Sequence, residues 1–134
     1  MQLSAHLTFG GQCEQAFNFY RALIGGELFV VRYGDSPMAR QVEPQWHSKV
    51  LHATLTVGNN VLTGTDVPAG QRQHAQGIFV LLSVDSGEVE RIFEALAEGG
   101  HVAMPLQRTF WSKAFGALVD QFGIPWEISA ASSS

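Results

Sequence analysis

The sequence predicts an α+β fold made of two tandem βαβββ modules whose curled mixed sheets surround a cavity, and three features carry that prediction. Each half contains a strand-like run, then an amphipathic helix, then three further strand-like runs. Both helices run into a glycine pair, and the two pairs, Gly25-Gly26 and Gly99-Gly100, stand 74 residues apart in a chain of 134. A repeat that spans more than half of the chain points to duplication of one supersecondary unit, with each helix covering its own sheet. A ferredoxin-like sandwich dimer is the competing architecture, but it has fewer strands per helix.

In chain order, Leu3 to Phe9 alternates as a strand and is broken by Gly10-Gly11. Cys13, Ala16, Phe17, Tyr20, Leu23 and Ile24 then recur at helical spacing and form one apolar stripe. Gly25-Gly26 can end that helix, because glycine takes the left-handed conformation without steric cost. Glu27 to Tyr33 reads as the second strand. Gly34 to His47, with Pro37 and Pro44, reads as a long irregular connection and a candidate lid. Lys49 to Val57 and Val61 to Thr65 follow as strands joined by the turn Gly58-Asn59-Asn60. The first module therefore covers about residues 1–66, and residues 67–77 have a linker's composition.

The second module, about residues 78–130, begins with the strand Ile78 to Val84. Asp85 and Glu88 have the spacing of a capping box ahead of Val89, Ile92, Phe93 and Leu96. After Gly99-Gly100 come strands at His101 to Leu106, Ala114 to Val119 and Trp126 to Ser129, with Asp120-Gln121-Phe122-Gly123 as a turn.

Composition narrows the function classes. The formal charge of -4 offers no basic surface to neutralise a phosphate backbone, so nucleic acid is not an expected partner. No apolar run approaches the roughly 20 residues that cross a bilayer, so no membrane span is expected. The N-terminus lacks the basic and apolar regions of a secretory signal and the single Cys13 cannot form an internal disulfide, which points to a cytoplasmic protein. Neither a G-x-S-x-G elbow nor a phosphate-cradling glycine loop is present, so nucleophilic and nucleotide chemistry have no signature here.

Several ordered motifs then coincide: Phe9-Gly10-Gly11-Gln12-Cys13-Glu14-Gln15-Ala16-Phe17-Asn18-Phe19-Tyr20 with Gly25-Gly26-Glu27, and Tyr33-Gly34-Asp35-Ser36-Pro37. They continue with His52-Ala53, Gly64-Thr65-Asp66, Met104-Pro105-Leu106, Phe110-Trp111 and Asp120-Gln121-Phe122-Gly123-Ile124-Pro125-Trp126. In order and spacing, over about residues 1–130, the chain resembles PhnB-like proteins of the vicinal oxygen chelate (glyoxalase, bleomycin resistance and dioxygenase) superfamily. Gln121 departs from the proline usual in that turn and bears on local rigidity alone.

The resemblance implies the glyoxalase/bleomycin resistance fold, usually as a homodimer, with a ligand cavity in the curled sheets. It does not fix one reaction, because relatives include metal-dependent isomerases, ring-cleaving dioxygenases, thiol transferases and proteins that sequester a drug. A 3-demethylubiquinone methyltransferase label also occurs among PhnB-like proteins, but no glycine-rich loop is present to hold a methyl donor. Catalytic relatives hold a divalent metal with four His, Gln or Glu side chains on the first and last strands of each half. The motifs place Ala5, Thr63, Phe79 and Glu127 at those positions, and a one-residue change of register substitutes His6 for Ala5. Even then the donors are fewer than the three that a catalytic site needs, so no metal cofactor is expected.

His52 interrupts an apolar strand and is the strongest candidate among the five histidines, as acid, base or hydrogen-bond donor, against a purely structural role. His74 and His101 are expected at the surface. Glu127 is the second candidate catalytic group, with Arg108 and His52 as possible partners and a solvated outward carboxylate as the simpler reading. Phe79, Phe110, Trp111 and Trp126 suit an aromatic pocket or a core, with Trp111 placed at a pocket or dimer contact. Thr63, Thr65 and Asp66 close the first half, where they contact ligand or cap a turn. Cys13 and Tyr20 lie on the helical stripe and are expected to pack.

Three functions follow. The first is a metal-free protein binding a small molecule in an apolar cavity, with Glu127 and His52 as polar anchors and Phe79, Trp111, Thr63, Thr65, Asp66 and Arg108 as ligand-binding residues. The alternative is a divalent-metal-dependent lyase, isomerase or dioxygenase of the glyoxalase type. A purely structural or regulatory dimer is the third.

Overall fold

The computed structural model describes residues 1–131; residues 132–134, the end of the expected single domain, lie outside them. The chain divides into two compact units, Met1–Gln73 and the described residues from His74 onward. Unit one runs β1 (Ala5–Phe9), α1 (Cys13–Ile24), β2 (Glu27–Arg32), β3 (Val50–Val57) and β4 (Asn60–Asp66). Unit two runs β5 (Val80–Val84), α2 (Val89–Ala97), β6 (His101–Gln107), β7 (Phe115–Val119) and β8 (Pro125–Ala130).

Each unit is one helix on a four-stranded mixed sheet, and the strand orders are the same: β1-β4-β3-β2 and β5-β8-β7-β6. The first strand of each pairs in parallel with the last, and the other pairings are antiparallel. Neither sheet closes into a barrel.

The glycine pairs are explained by position. Gly25 and Gly99 both have positive φ, 83° and 75°, which turns the chain out of its helix. A Cβ on Gly26 stands 2.4 Å from the carbonyl oxygen of Thr56, and a Cβ on Gly100 stands 2.2 Å from that of Val119. Thr56 and Val119 occupy equivalent strand positions in the two registers. The second glycine of each pair is therefore required by backbone contact between a helix end and a central strand.

In unit one, Phe17 and Cys13 of α1 sit so close to Gly64 that no side chain fits there. Phe9, Phe17 and Tyr20 meet edge to face around this contact and carry the core with Val50, Ala53 and Leu55. Burial of the thiol, with the nearby Asp66 and Glu14 carboxylates, pushes the Cys13 ionisation far up, so Cys13 is a packing residue. In unit two, Phe93 of α2 meets Gly116, and Leu96, Leu118, Trp126 and Ile128 form the core.

Two expectations are corrected. Asp85 and Glu88 do not form a capping box: α2 starts without a side-chain cap, the Glu88 N–H donates to the Asp85 carbonyl, and the Glu88 carboxylate turns outward to Arg91. The connection after β2 is ordered and not irregular. It winds through three 3-10 turns, is pinned by the buried Tyr33, and is stitched from within by Gly34 N–H to His47 O and by His47 Nε2 to Ala39 O.

Candidate functional site

A helix covers one face of each sheet, and the opposite face is where the polar candidates stand. In unit one, Ala53, Leu55 and Gly64 point toward α1, so the residues alternating with them point away. Register then builds a row across the sheet: His6 on β1, Thr63 on β4, Thr54 on β3 and Phe29 on β2. His6 Nδ1 lies 2.7 Å from Thr63 Oγ1, and His52 Nε2 lies 3.0 Å from Thr54 Oγ1. The two imidazoles face one another with centroids 6.0 Å apart and planes inclined by 18°. Burial first, and then the charge of His52, draws His6 below the ordinary histidine range. Two rings and two hydroxyls thus offer hydrogen-bond donors and acceptors on an open sheet face.

In unit two the matching row is Leu81 on β5, Glu127 on β8, Ala117 on β7 and Met104 on β6. Glu127 alternates with the buried Trp126 and Ile128, so its half-buried carboxylate points away from α2 among apolar neighbours. It makes no ion pair with Arg108, the partner considered for it within this unit.

Register also corrects the position matching. The residue beside Thr63 is His6 and not Ala5, and the residue beside Glu127 is Leu81 and not Phe79. Phe79 precedes β5 and is 45% exposed. Asp66 is a structural group. It is 1% exposed, its Oδ1 accepts the N–H groups of Gly11 and Cys13, and its Oδ2 accepts that of Val50, so the carboxylate is buried and engaged by the backbone. It caps the start of α1, whose own N-cap residue makes no side-chain bond. Thr65 likewise turns its hydroxyl to the Leu51 carbonyl, at 2.7 Å. Trp126 is core, with its indole N–H donating to Asp120 Oδ2.

Arg108 and Trp111 are brought together. They line a hollow of about 210 Å³ with Thr109, Phe110, Ser112 and Lys113, against the end of β8 at Ala130 and Ala131. Trp111 stands edge to face against both Phe110 and Phe115. The sequence reading passed over Thr54, although its place two residues after His52 puts it on the same strand face. Lys113 and Phe115 were also missed, and neither carries a local signal beyond its side chain.

Neither unit by itself supplies three metal donors: unit one offers His6 and His52, and unit two offers Glu127. Among the described residues no three His, Cys, Asp or Glu side chains stand grouped. Among those residues, too, no helix is long and apolar enough to cross a membrane.

Residues 4–128 match the Glyoxalase/Bleomycin resistance protein/Dioxygenase superfamily. Protein YjdN of Escherichia coli (strain K12) is 30% identical over 139 residues, covering 96% of this chain and 95% of that protein. Protein PA1353 of Pseudomonas aeruginosa is 38% identical with a TM-score of 0.88, covering 99% of both chains. The PhnB protein of Bacillus cereus is 26% identical with a TM-score of 0.80, covering 98% of this chain and all of that one. With sheet order, repeat and sequence in agreement, the chain belongs to the Glyoxalase/Bleomycin resistance protein/Dioxygenase superfamily, as a PhnB-like member.

Proposed function

We propose that this protein binds a small molecule against a helix-free sheet face, with His52 as polar anchor in unit one and Glu127 in unit two. The observation that carries the reading is the contrast between those faces and what hydrogen bonding requires. On unit one, His6, His52, Thr54 and Thr63 pair among themselves on the open face with no backbone to satisfy beyond one weak contact from Thr63 to Ala5. On unit two, Glu127 sits unpaired among apolar side chains, where a carboxylate gains from a ligand donor. His6 belongs with His52, because the two rings lie close enough to share a proton-bearing ligand group.

The same reading has the protein act as a cytoplasmic homodimer. The unpaired, buried Cys13 suits a reducing compartment. Self-association is supported by Ile78 and Leu81, 70% and 59% exposed beside the free edge of β5, where a second copy can cover them.

A second reading, a divalent-metal lyase, isomerase or dioxygenase, is favoured by one observation: the register puts His6, a nitrogen donor, on the first strand beside Thr63. The donors within either unit do not complete a three-ligand site.

One calorimetric series tests both. Chelator-stripped protein is titrated with a small-molecule library and with Ni, Zn, Mn and Fe(II), its mass being measured in the same buffer. A ligand whose affinity falls about tenfold or more in His52→Ala or in Glu127→Gln supports the binding reading for that unit. Ligands that bind the variants as they bind the parent remove His52 and Glu127 as anchors. Stoichiometric metal binding lost in Glu127→Ala overturns the metal-free reading and calls for isomerase and dioxygenase assays, and a monomeric mass refutes the homodimer.

A further inference from the structure

We infer that the hollow between β6 and β7 is a subsite for a single aromatic ring bearing an anionic oxygen group, an arene carboxylate or aryl phosphate. The inference rests on the small-molecule reading above and names the ligand class.

The first observation is that Phe110 and Trp111 are presented and not packed. They are 97% and 56% exposed, at the tip of the turn from Thr109 to Ser112. Exposed aromatics on a loose loop mean little, but this turn is braced. Thr109 N–H donates to Ser112 O at 2.9 Å and Ser112 N–H donates to Thr109 Oγ1 at 3.0 Å. The buried Ser112 hydroxyl donates to Ala114 O at 2.8 Å, and Ser129 Oγ on β8 donates to it at 3.0 Å. Phe110 and Trp111 meet edge to face at 4.7 Å, and Trp111 meets Phe115 at 5.5 Å. A rigid aromatic surface binds a planar ring with little ordering cost.

The second observation is charge. Arg108 and Lys113 flank the aromatic pair in the wall of the hollow, and neither takes part in an ion pair of the structure. No acidic residue occurs between Glu98 and Asp120, in a chain whose formal charge is -4. The guanidinium and ammonium are therefore available to an anion from solvent. The third observation is size. A volume of about 210 Å³ is below the roughly 300–1,000 Å³ of sites for drug-sized ligands, and one ring with one small anionic group suits it.

The test uses the full chain, with ¹H–¹⁵N spectra and benzoate or phenyl phosphate as probes. Both probes are expected to move the Trp111 indole signal and the Phe110 to Lys113 amides saturably. Cyclohexanecarboxylate, with charge but no ring face, and benzyl alcohol, with a ring but no charge, should bind about tenfold more weakly or not at all. Arg108→Gln and Lys113→Gln replace exposed side chains, so the spectrum itself reports an intact fold, and each should weaken benzoate binding several-fold. Equal binding of all four probes, or unchanged binding in the doubly substituted protein, overturns the inference. So does benzoate that moves His52 and Thr54 signals while leaving Trp111 still, an outcome that keeps the small-molecule reading. A tip that proves to be a contact with a second copy, shown by a Trp111→Ser monomer from a dimeric parent, overturns it as well.

Discussion

The two units share a framework and differ on the face that it presents. Position for position, the row His6, Thr63, Thr54, Phe29 in unit one answers to Leu81, Glu127, Ala117, Met104 in unit two, and His52 answers to Phe115. What repeats is what the backbone dictates: the parallel pairing of first and last strands, and a glycine wherever a helix end touches a central carbonyl. What varies is the face turned away from the helix. Unit one presents hydrogen-bonding groups, and unit two presents apolar ones around a single carboxylate. A framework that repeats while its side chains vary is suited to different ligand chemistry on each unit, a conclusion about capacity and not about any one reaction.

The units also use the same anchoring device over different spans, and this gives the largest predicted effect. Asp66 and Asp120 are both buried, and each accepts two backbone N–H groups on one oxygen and a third donor on the other. Asp66 joins the end of β4 to the starts of α1 and β3, whereas Asp120 closes its own turn and takes the indole of Trp126. Removing Asp66 strands amides that other elements hold in place, while the turn at Asp120 can open to water. Asp66→Asn should cost about 3–5 kcal/mol and Asp120→Asn about 2–3 kcal/mol. Urea unfolding followed through amide signals of each unit measures both; equal losses break the comparison.

The glycine pairs sharpen it further. A methyl on Gly26 or Gly100 meets a carbonyl oxygen that cannot move without shifting a central strand. Both Gly26→Ala and Gly100→Ala should destabilise by about 2–3 kcal/mol. Gly99→Ala, where strain comes from positive φ, should cost about 1 kcal/mol, and Gly25→Ala about 1–3 kcal/mol, because φ 83° with ψ -166° is a conformation that glycine alone adopts readily. Thermal unfolding of the four variants tests the pattern, and a cost at Gly99 above that at Gly100, which has no positive φ, denies the packing explanation.

The parts of this fold legible in the sequence are those with local causes. Alternation in Val50–Val57, helical spacing from Cys13, and the two glycine pairs each act within a few residues, and the elements lie where these patterns place them within a residue or two. Register is decided by hydrogen bonds between strands far apart in the chain, so Ala5 and Phe79 were matched one position short on β1 and two short on β5. Asp66 was ambiguous for the same reason: the amides that settle its role come from Gly11, Cys13 and Val50. Arg108 and Trp111 were legible as residue types, but their meeting in one hollow depends on a turn that only the structure shows.

The smallest effect concerns His6, whose unit-two counterpart Leu81 cannot titrate. Burial and the charge of His52 disfavour the imidazolium in the folded protein, so the folded state takes up its proton at lower pH than the unfolded chain does. Between that lowered pKa and about 6.5, the unfolded state binds more protons, so stability should rise with pH through this window and level off on either side of it. His6 is exposed, so the slope should be shallow. In a ring-signal titration His6 should show a midpoint below the ordinary histidine value, and His52→Gln should move it part of the way back, because burial, the larger cause, stays in place. Full recovery in His52→Gln assigns the shift to the neighbouring charge alone, and no change means that the two rings, though close, do not sense one another.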